Sequence, residues 1–522
     1  MGKKVNRPIN SYFGDAMFPI NFLHKTVLSS PDATAAIDGD IRCSYRTLGV
    51  RSDALGCGIQ AVAGKPRPIV AMLGPNDLEM LVALLAIHAS GSVVVPLNIR
   101  NTAHELDAQV SFVKPDVLIV HKAYLDKVLS FDGTVLVAGA DSDDARAMVA
   151  LEQKYAGKAP EWQAELKDMS GIKFTGGSSG VPKGVMQSFQ CVNTMVNSLL
   201  LKFDLNSEDR YLCAAPMTHA AGAFILPILA SGGAVVMTAD SSPGSLLDLI
   251  ENEEITATWV PPTLLYKLID EQKSSPRNVA SLQHLIWGGA AASPARLLEA
   301  RKLFGPVVEA IYGQTEAPMM LAAGTANELQ GERLTSVGKA GPMTELGILD
   351  PDGQCLPDNE LGEICGRGPL LMDGYLEMPE ATAATIRDGW LHTGDLGMVD
   401  SDGFLFIKGR IRDVVITGGF NVYPADIEAV LAQHPAVSDS IVFGVPDDYW
   451  GERLEASVEL RTGETASTEE LMSHCKKLAG PVKTPKYIHL VKALPRSPVG
   501  KVLRREARDA AMNRGSAIAP PE

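Results

Sequence analysis

The stretch Phe174-Thr-Gly-Gly-Ser-Ser-Gly-Val-Pro-Lys-Gly184 organises the reading of this chain. Its glycines leave the backbone free to curl and to present successive N–H groups to an anion. Ser178, Ser179 and Thr175 add hydroxyl donors, and Lys183 adds a positive charge. The spacing is not that of a Walker A loop, because Val181-Pro182 separates Gly180 from Lys183. A flexible linker is the bland alternative. Linkers rarely place a lysine after Gly-x-Pro and directly before a strand-like run, here Gly184–Met186.

Outward from this loop the pattern is α/β. Pro68–Leu73, Val93–Leu97 and Val117–Val120 read as short buried strands, with a helix over Leu78–His88. Beyond the loop, Arg210–Ala215, Gly233–Thr238 and Ala257–Val260 read as strands, and Thr263–Glu271 and Pro294–Leu303 as helices. Strands alternating with helices predict doubly wound parallel sheets. Residues 335–408 are rich in Gly, Asp and short β-type runs, which predicts a small β-barrel or distorted sheet. From about 414 a small α+β unit is expected, with helices at Ala425–Gln433 and Thr468–Leu478 and strands at Ser438–Gly444 and Glu455–Leu460. The expected organisation is a large N-terminal domain (1–409) of two sheet subdomains plus the barrel, a hinge (410–413) and a small C-terminal domain (414–522).

A net charge of −15 over 522 residues argues against nucleic acid as the main partner. The seven cysteines include no C-x-x-C pair, which speaks against a disulfide scaffold or a structural zinc site and for a reducing, cytoplasmic setting. The N-terminus has basic residues but no apolar run after them, so a secretory signal is not expected. The apolar stretch 219–238 is broken by Gly and Pro and carries a His, so no membrane span is expected.

Further motifs follow in order. Ile311-Tyr-Gly-Gln-Thr-Glu316 offers a carboxylate, a hydroxyl and an aromatic face, and alone would read as a turn before a helix. Gly288-Gly-Ala-Ala-Ala292 reads as a tight strand-to-helix turn with Ser293 as N-cap. Trp390-Leu-His-Thr-Gly-Asp395 puts an aspartate at an expected strand end. Gly409-Arg410-x-Arg412-Asp413 falls at the domain boundary. Leu494–Arg505 carries Lys501 after a glycine on a Pro-containing loop. His219 sits in Pro216-Met-Thr-His-Ala-Ala-Gly222.

Taken together, these motifs resemble the adenylate-forming superfamily of acyl-CoA synthetases, aryl-CoA ligases, peptide-synthetase adenylation domains and luciferases, over nearly the whole chain. The glycine loop departs from the family pattern by having Gly176 where Ser is usual. The resemblance implies that Thr175, Gly176, Gly177, Ser178, Ser179, Gly180 and Lys183 grip the ATP phosphates. Glu316 with Thr175 would hold Mg²⁺, and Thr315 would meet the α-phosphate. Gly289, Ala290, Tyr312, Gly313 and Gln314 would lie along the adenine, and Asp395 with Arg410 would take the ribose. Lys501 would stabilise the charge that builds during adenylation. Arg412 would be the hinge, although the family usually has Asp or Lys there. Gly418, Gly419 and Phe420 would line a pantetheine tunnel, and Trp450 would stack on the adenine of coenzyme A. Arg504, Arg505 and Lys486 would assist with its phosphates.

An acid pocket is expected around His219, Ala220, Ala221, Gly222, Gly288 and Gly313, where small residues leave room for a bulky apolar acid, aromatic, alicyclic or fatty. The implied activity is acyl-CoA ligation through acyl-AMP by a monomer or homodimer. The alternatives are an adenylating ligase that loads a carrier protein and, more remotely, an inactive nucleotide-binding regulator.

Overall fold

The structure, a computed structural model, describes residues 17–128, 130–144, 146–175, 183–461, 463–496 and 502–515. A nine-stranded sheet runs in the order Lys339–Ala340, Ala317–Gly324, Val308–Gln314, His284–Gly288, Ala257–Val260, Arg210–Leu212, Ala234–Met237, Thr34–Asp38, Ile41–Ser44. Its inner pairs are parallel and both its edges antiparallel. A seven-stranded sheet runs Gly374–Tyr375, Lys183–Ser188, Met169–Thr175, Val93–Pro96, Ile69–Leu73, Val117–His121, Thr134–Ala138. Inner strands such as AVVM and ATWV are buried along their whole length, as a sheet covered on both faces requires.

Two helices fill the space between the sheets. Leu78–Ala89 is apolar almost all round, touches strands of both sheets and is capped by Asp77, which accepts from the Met80 N–H. Phe189–Phe203 starts on the cap Ser188 and packs against Ala317–Gly324 on one side and Lys183–Ser188 on the other. One continuous apolar core joins both sheets and their helices.

The β-rich stretch forms an antiparallel sheet of Glu345–Leu349, Gly362–Arg367, Trp390–Val399 and Ile386–Arg387, with Leu405–Arg410 also pairing to Trp390–Val399. After the short turn Ile411–Asp413 the chain enters another sheet, Phe420–Val422, Val415–Thr417, Gly451–Leu460, Val437–Asp447, with Tyr487–Val491 alongside Gly451–Leu460. Pro424–Leu431 and Thr468–Ala479 cover that sheet over its own apolar cluster. No helix among the described residues is long and apolar enough to cross a membrane.

Candidate active site

Strands Met169–Thr175 and Lys183–Ser188 pair with Thr175 opposite Lys183, so the two ends of the glycine-rich stretch stand side by side. Gly176, Gly177, Ser178, Ser179 and Gly180 lie outside the described residues. The Lys183 ammonium stands 4.5 Å from the ring centre of Tyr375. The Tyr375 hydroxyl donates to Glu316 Oε1 at 2.7 Å. Tyr375 therefore links the phosphate-side lysine to the carboxylate expected to hold the metal. No motif announces it, since it lies in the two-residue edge strand Gly374–Tyr375, which pairs with Val185 and Met186.

Gln314, Thr315 and Glu316 form the bend of a β-hairpin between Val308–Gln314 and Ala317–Gly324, not a turn before a helix. The register slips there from Tyr312↔Ala322 to Gln314↔Ala317. A Cβ on Gly313 would lie 2.6 Å from the Met319 backbone, and Met319 itself adopts φ 64°. Gly313 is small because two backbones touch, not to leave room for a ligand. The Thr315 carbonyl accepts from Gln187 Nε2 at 2.7 Å.

Asp395 is the point where three motifs meet. Its Oδ2 accepts from the Tyr312 hydroxyl at 2.6 Å and from Gln314 Nε2 at 2.9 Å, while Oδ1 faces Arg410 Nε at 2.7 Å. Asp395 lies inside strand Trp390–Val399 and not at its end, because Leu405–Arg410 continues the ladder and sets Arg410 directly opposite. Burial, and then the Asp395 charge, push the Tyr312 hydroxyl well above the usual range, so it stays a donor.

Gly288 closes strand His284–Gly288, where a Cβ would come within 2.6 Å of the Ile311 carbonyl oxygen. Gly289 turns the chain at φ 83° beside Trp259, and Ala290 is partly buried. Ser293 precedes helix Pro294–Phe304 but makes no side-chain cap. Its N–H donates to the Tyr266 hydroxyl at 2.6 Å, which fixes the turn in the cap's place, and its Oγ is buried without a partner.

His219 opens the short turn Ala220–Phe224, with Nδ1 3.0 Å from Thr218 Oγ1. Burial, then the charges of Lys173 and Arg100, lower it to about 4, so the imidazole is neutral at physiological pH. His219 and Gly222 line a cavity of about 60 Å³ between the two sheets. Ala220, Ala221, Gly288 and Gly313 do not line it. A Cβ on Gly222 would sit 1.8 Å from the Met217 carbonyl oxygen, and Ala221 is fully buried with its carbonyl accepting from Tyr211. Close backbone packing therefore accounts for small residues that sequence reasoning assigned to ligand volume.

The C-terminal candidates form their own cluster. Gly418 and Gly419 take φ 56° and 83° between Val415–Thr417 and Phe420–Val422. The Gly418 N–H donates to the Trp450 carbonyl, and a Cβ there would meet the indole at 2.9 Å. The Lys486 ammonium lies 4.8 Å from the Trp450 ring, and Phe420 is 59% exposed. Arg412 sits in the turn Ile411–Asp413, mostly exposed. Arg504 is not a surface cation for coenzyme A phosphates. It lies part-buried between Asp413 and Glu428, whose charges outweigh burial and raise its affinity for its proton.

Lys501 lies outside the described residues. The flanking Arg496 and Val502 pair across an antiparallel bridge, so the ends of the 497–501 segment are adjacent. Arg496 binds Asp439, and the charges of both act on the Tyr266 hydroxyl that anchors Ser293. The base of the lysine segment thus lies toward the Gly288–Ser293 turn.

Residues 23–376 match the AMP-binding enzyme family and residues 426–501 match the AMP-binding enzyme C-terminal domain. A medium/long-chain-fatty-acid–CoA ligase of Mycobacterium tuberculosis is 34% identical over 490 residues, covering 90% of this chain and 86% of the relative. A feruloyl-CoA synthase of Amycolatopsis is 34% identical, covering 92% of this chain and 96% of the relative. The solved o-succinylbenzoate CoA synthetase of Bacillus subtilis, in complex with its acyl-adenylate intermediate, superposes with a TM-score of 0.84 at 28% identity, covering 94% of this chain and 98% of that one. With a site of this geometry and matches of this extent, the chain belongs to the AMP-binding, adenylate-forming enzyme family.

Proposed function

We propose that the chain is an ATP-dependent carboxylic acid:CoA ligase working through an acyl-adenylate, with an acid of largely apolar body. The convergence on Asp395 carries this reading. Tyr312 and Gln314 of strand Val308–Gln314 and Arg410 of strand Leu405–Arg410 together fix one buried carboxylate, 6% exposed, beside the Glu316–Tyr375–Lys183 chain. A carboxylate held this way keeps an acceptor site on Oδ1 for a ribose hydroxyl.

Glu316 and Thr175 offer the hard oxygen donors that Mg²⁺ prefers, and among the described residues Tyr375 donates to Glu316 Oε1 and none donates to Oε2. A bound Mg²⁺ would neutralise charge on the phosphates. Lys183 and the glycine loop draw the β- and γ-phosphates. Neutral His219 borders the acid without competing for its proton. Lys501 meets the negative charge that develops as the carboxylate attacks the α-phosphorus and pyrophosphate leaves. The anchorage of Arg496 near Tyr266 supports an arrangement in which the lysine end of the C-terminal domain faces this site. Rotation about Arg412 would then bring Gly418, Gly419 and Trp450 over for thiol attack on the acyl-adenylate.

ATP–pyrophosphate exchange across a panel of acids, followed by thioester detection with coenzyme A, tests the reading. Exchange and thioester formation with at least one apolar acid are expected. Absence of exchange with every acid overturns adenylation. Exchange without thioester turns the second step toward a carrier-protein thiol.

A further inference from the structure

The cavity beside His219 holds more polar chemistry than an apolar acid needs. Its walls are mostly Met72, Leu84, Val94, Met195 and Leu226, yet Lys173 reaches it, and so do His88, Ser170 and Gln187. Ser170 is 0% exposed, Gln187 1% and His88 6%. Ser170 Oγ, Gln187 Oε1 and His88 Nδ1 are each buried with no hydrogen-bond partner among the described residues. A buried polar atom left unpaired is costly, so three around one cavity point to a polar partner that the ligand supplies. Nor does any salt bridge or hydrogen bond join a carboxylate to Lys173 among the described residues, and Asp373, which acts on the adjacent Cys191, is not among the groups acting on it. A partly buried ammonium that no carboxylate faces favours an anionic partner beside it.

Position sets what the cavity can receive. Gly171, Lys173 and Thr175 alternate along one strand and point to one face. Thr175 stands at the phosphate loop, so Lys173 is about 7 Å behind it at a strand rise of about 3.3 Å per residue. Ser170, at the register slip between Met169 and Gly171, and His88, in the last turn of helix Leu78–Ala89, line the same cavity. An acid with its reacting carboxylate near Thr175 and Glu316 would extend its body inward along this line.

Resting on the adenylation reading, we infer that the acid carries a second carboxylate at its far end, paired with Lys173 and hydrogen-bonded within the pocket bounded by His88, Ser170 and Gln187. The apolar walls take the chain or ring between the two carboxylates. The ligand's anion supplies the counter-ion that the protein withholds, and a monoacid of the same length leaves the partly buried Lys173 without one. Sites built around a polar group discriminate strongly against analogues lacking it.

The test is pyrophosphate exchange with matched pairs: hexanoic against hexanedioic acid, octanoic against octanedioic acid, and 3-phenylpropanoic against 3-(4-carboxyphenyl)propanoic acid. In at least one pair the diacid is expected to exceed its monoacid at least tenfold in kcat/KM. Lys173→Met is expected to lower the diacid value at least tenfold more than the monoacid value, and so to erase the preference. Exchange that never favours a diacid overturns the inference and leaves adenylation standing. A Lys173→Met enzyme that loses both members of a pair equally overturns it too, because the lysine would then act on the reacting carboxylate or on ATP. The wild-type panel decides the matter even if the variant does not fold, and exchange with no acid at all falls on the adenylation reading instead.

Discussion

At the scale of single residues, the site depends on bonds between side chains far apart in sequence. Tyr312 and Asp395 are 83 residues apart and joined by a 2.6 Å hydrogen bond. Tyr312→Phe removes one donor from an ionised acceptor, an interaction of about 1.5–3 kcal/mol. A rise in KM for ATP of roughly tenfold is expected, with a smaller change in kcat, measured by pyrophosphate exchange. Tyr375→Phe unties Glu316 from Lys183, and the expected outcome is a higher magnesium concentration for half-maximal rate. Lys501→Ala should lower the adenylation rate about 10²–10³-fold with little change in ATP binding, as for other donors aimed at transition-state charge. Two histidines also set a pH limit. His88 and His219 are each lowered to about 4 from 6.5, by burial first and then by Lys173, with Arg100 acting on His219 as well. Between those values the unfolded chain binds more protons than the folded one, so stability falls as pH drops from about 6.5 toward 4. Thermal melts across that range should show the decline, and His88→Gln should flatten it.

At the scale of elements, the periodic segments were readable and the close approaches were not. The helix expected over Leu78–His88 forms as Leu78–Ala89, and Ala257–Val260 is a strand as read. Helix Phe189–Phe203 went unread although Ser188 caps it and Phe189, Val192, Val196, Leu199 and Phe203 mark one face at helical spacing. The hairpin around Gln314–Glu316 had no such signal, because its second strand, APMMLAAG, is buried nearly throughout and lacks alternation. Glycines mislead most. A Cβ at Gly222, Gly288 or Gly313 would meet backbone atoms, and of the three only Gly222 lines the cavity beside His219. Gly222→Ala would drive a methyl group into the Met217 carbonyl, so a loss of several kcal/mol or failure to fold is expected, read by denaturant unfolding.

At the scale of the molecule, the question is how the C-terminal sheet is held. Arg504 joins Asp413 of the boundary turn to Glu428 of helix Pro424–Leu431. Arg504→Ala would leave two carboxylates near each other without their cation, a loss of about 1–3 kcal/mol for partly exposed groups. Lower stability of the C-terminal domain, seen as a separate early transition or as faster proteolysis after 413, is the expected result.

The sequence by itself determined the α/β class, the order of the motifs and the family, because local spacing, turn chemistry and apolar periodicity are written in neighbouring residues. The glycine stretch Phe174–Gly184 belongs to that legible part. Only the tertiary structure decided that Asp395 lies within a strand, that Tyr375 bridges Lys183 and Glu316, and that Arg504 is an internal tie. It alone brought Lys173, His88, Ser170 and Gln187 around one cavity. Those facts come from strands and helices distant in the chain that pack together, and the free energy of such contacts depends on distance and desolvation in the folded state, which no local pattern records.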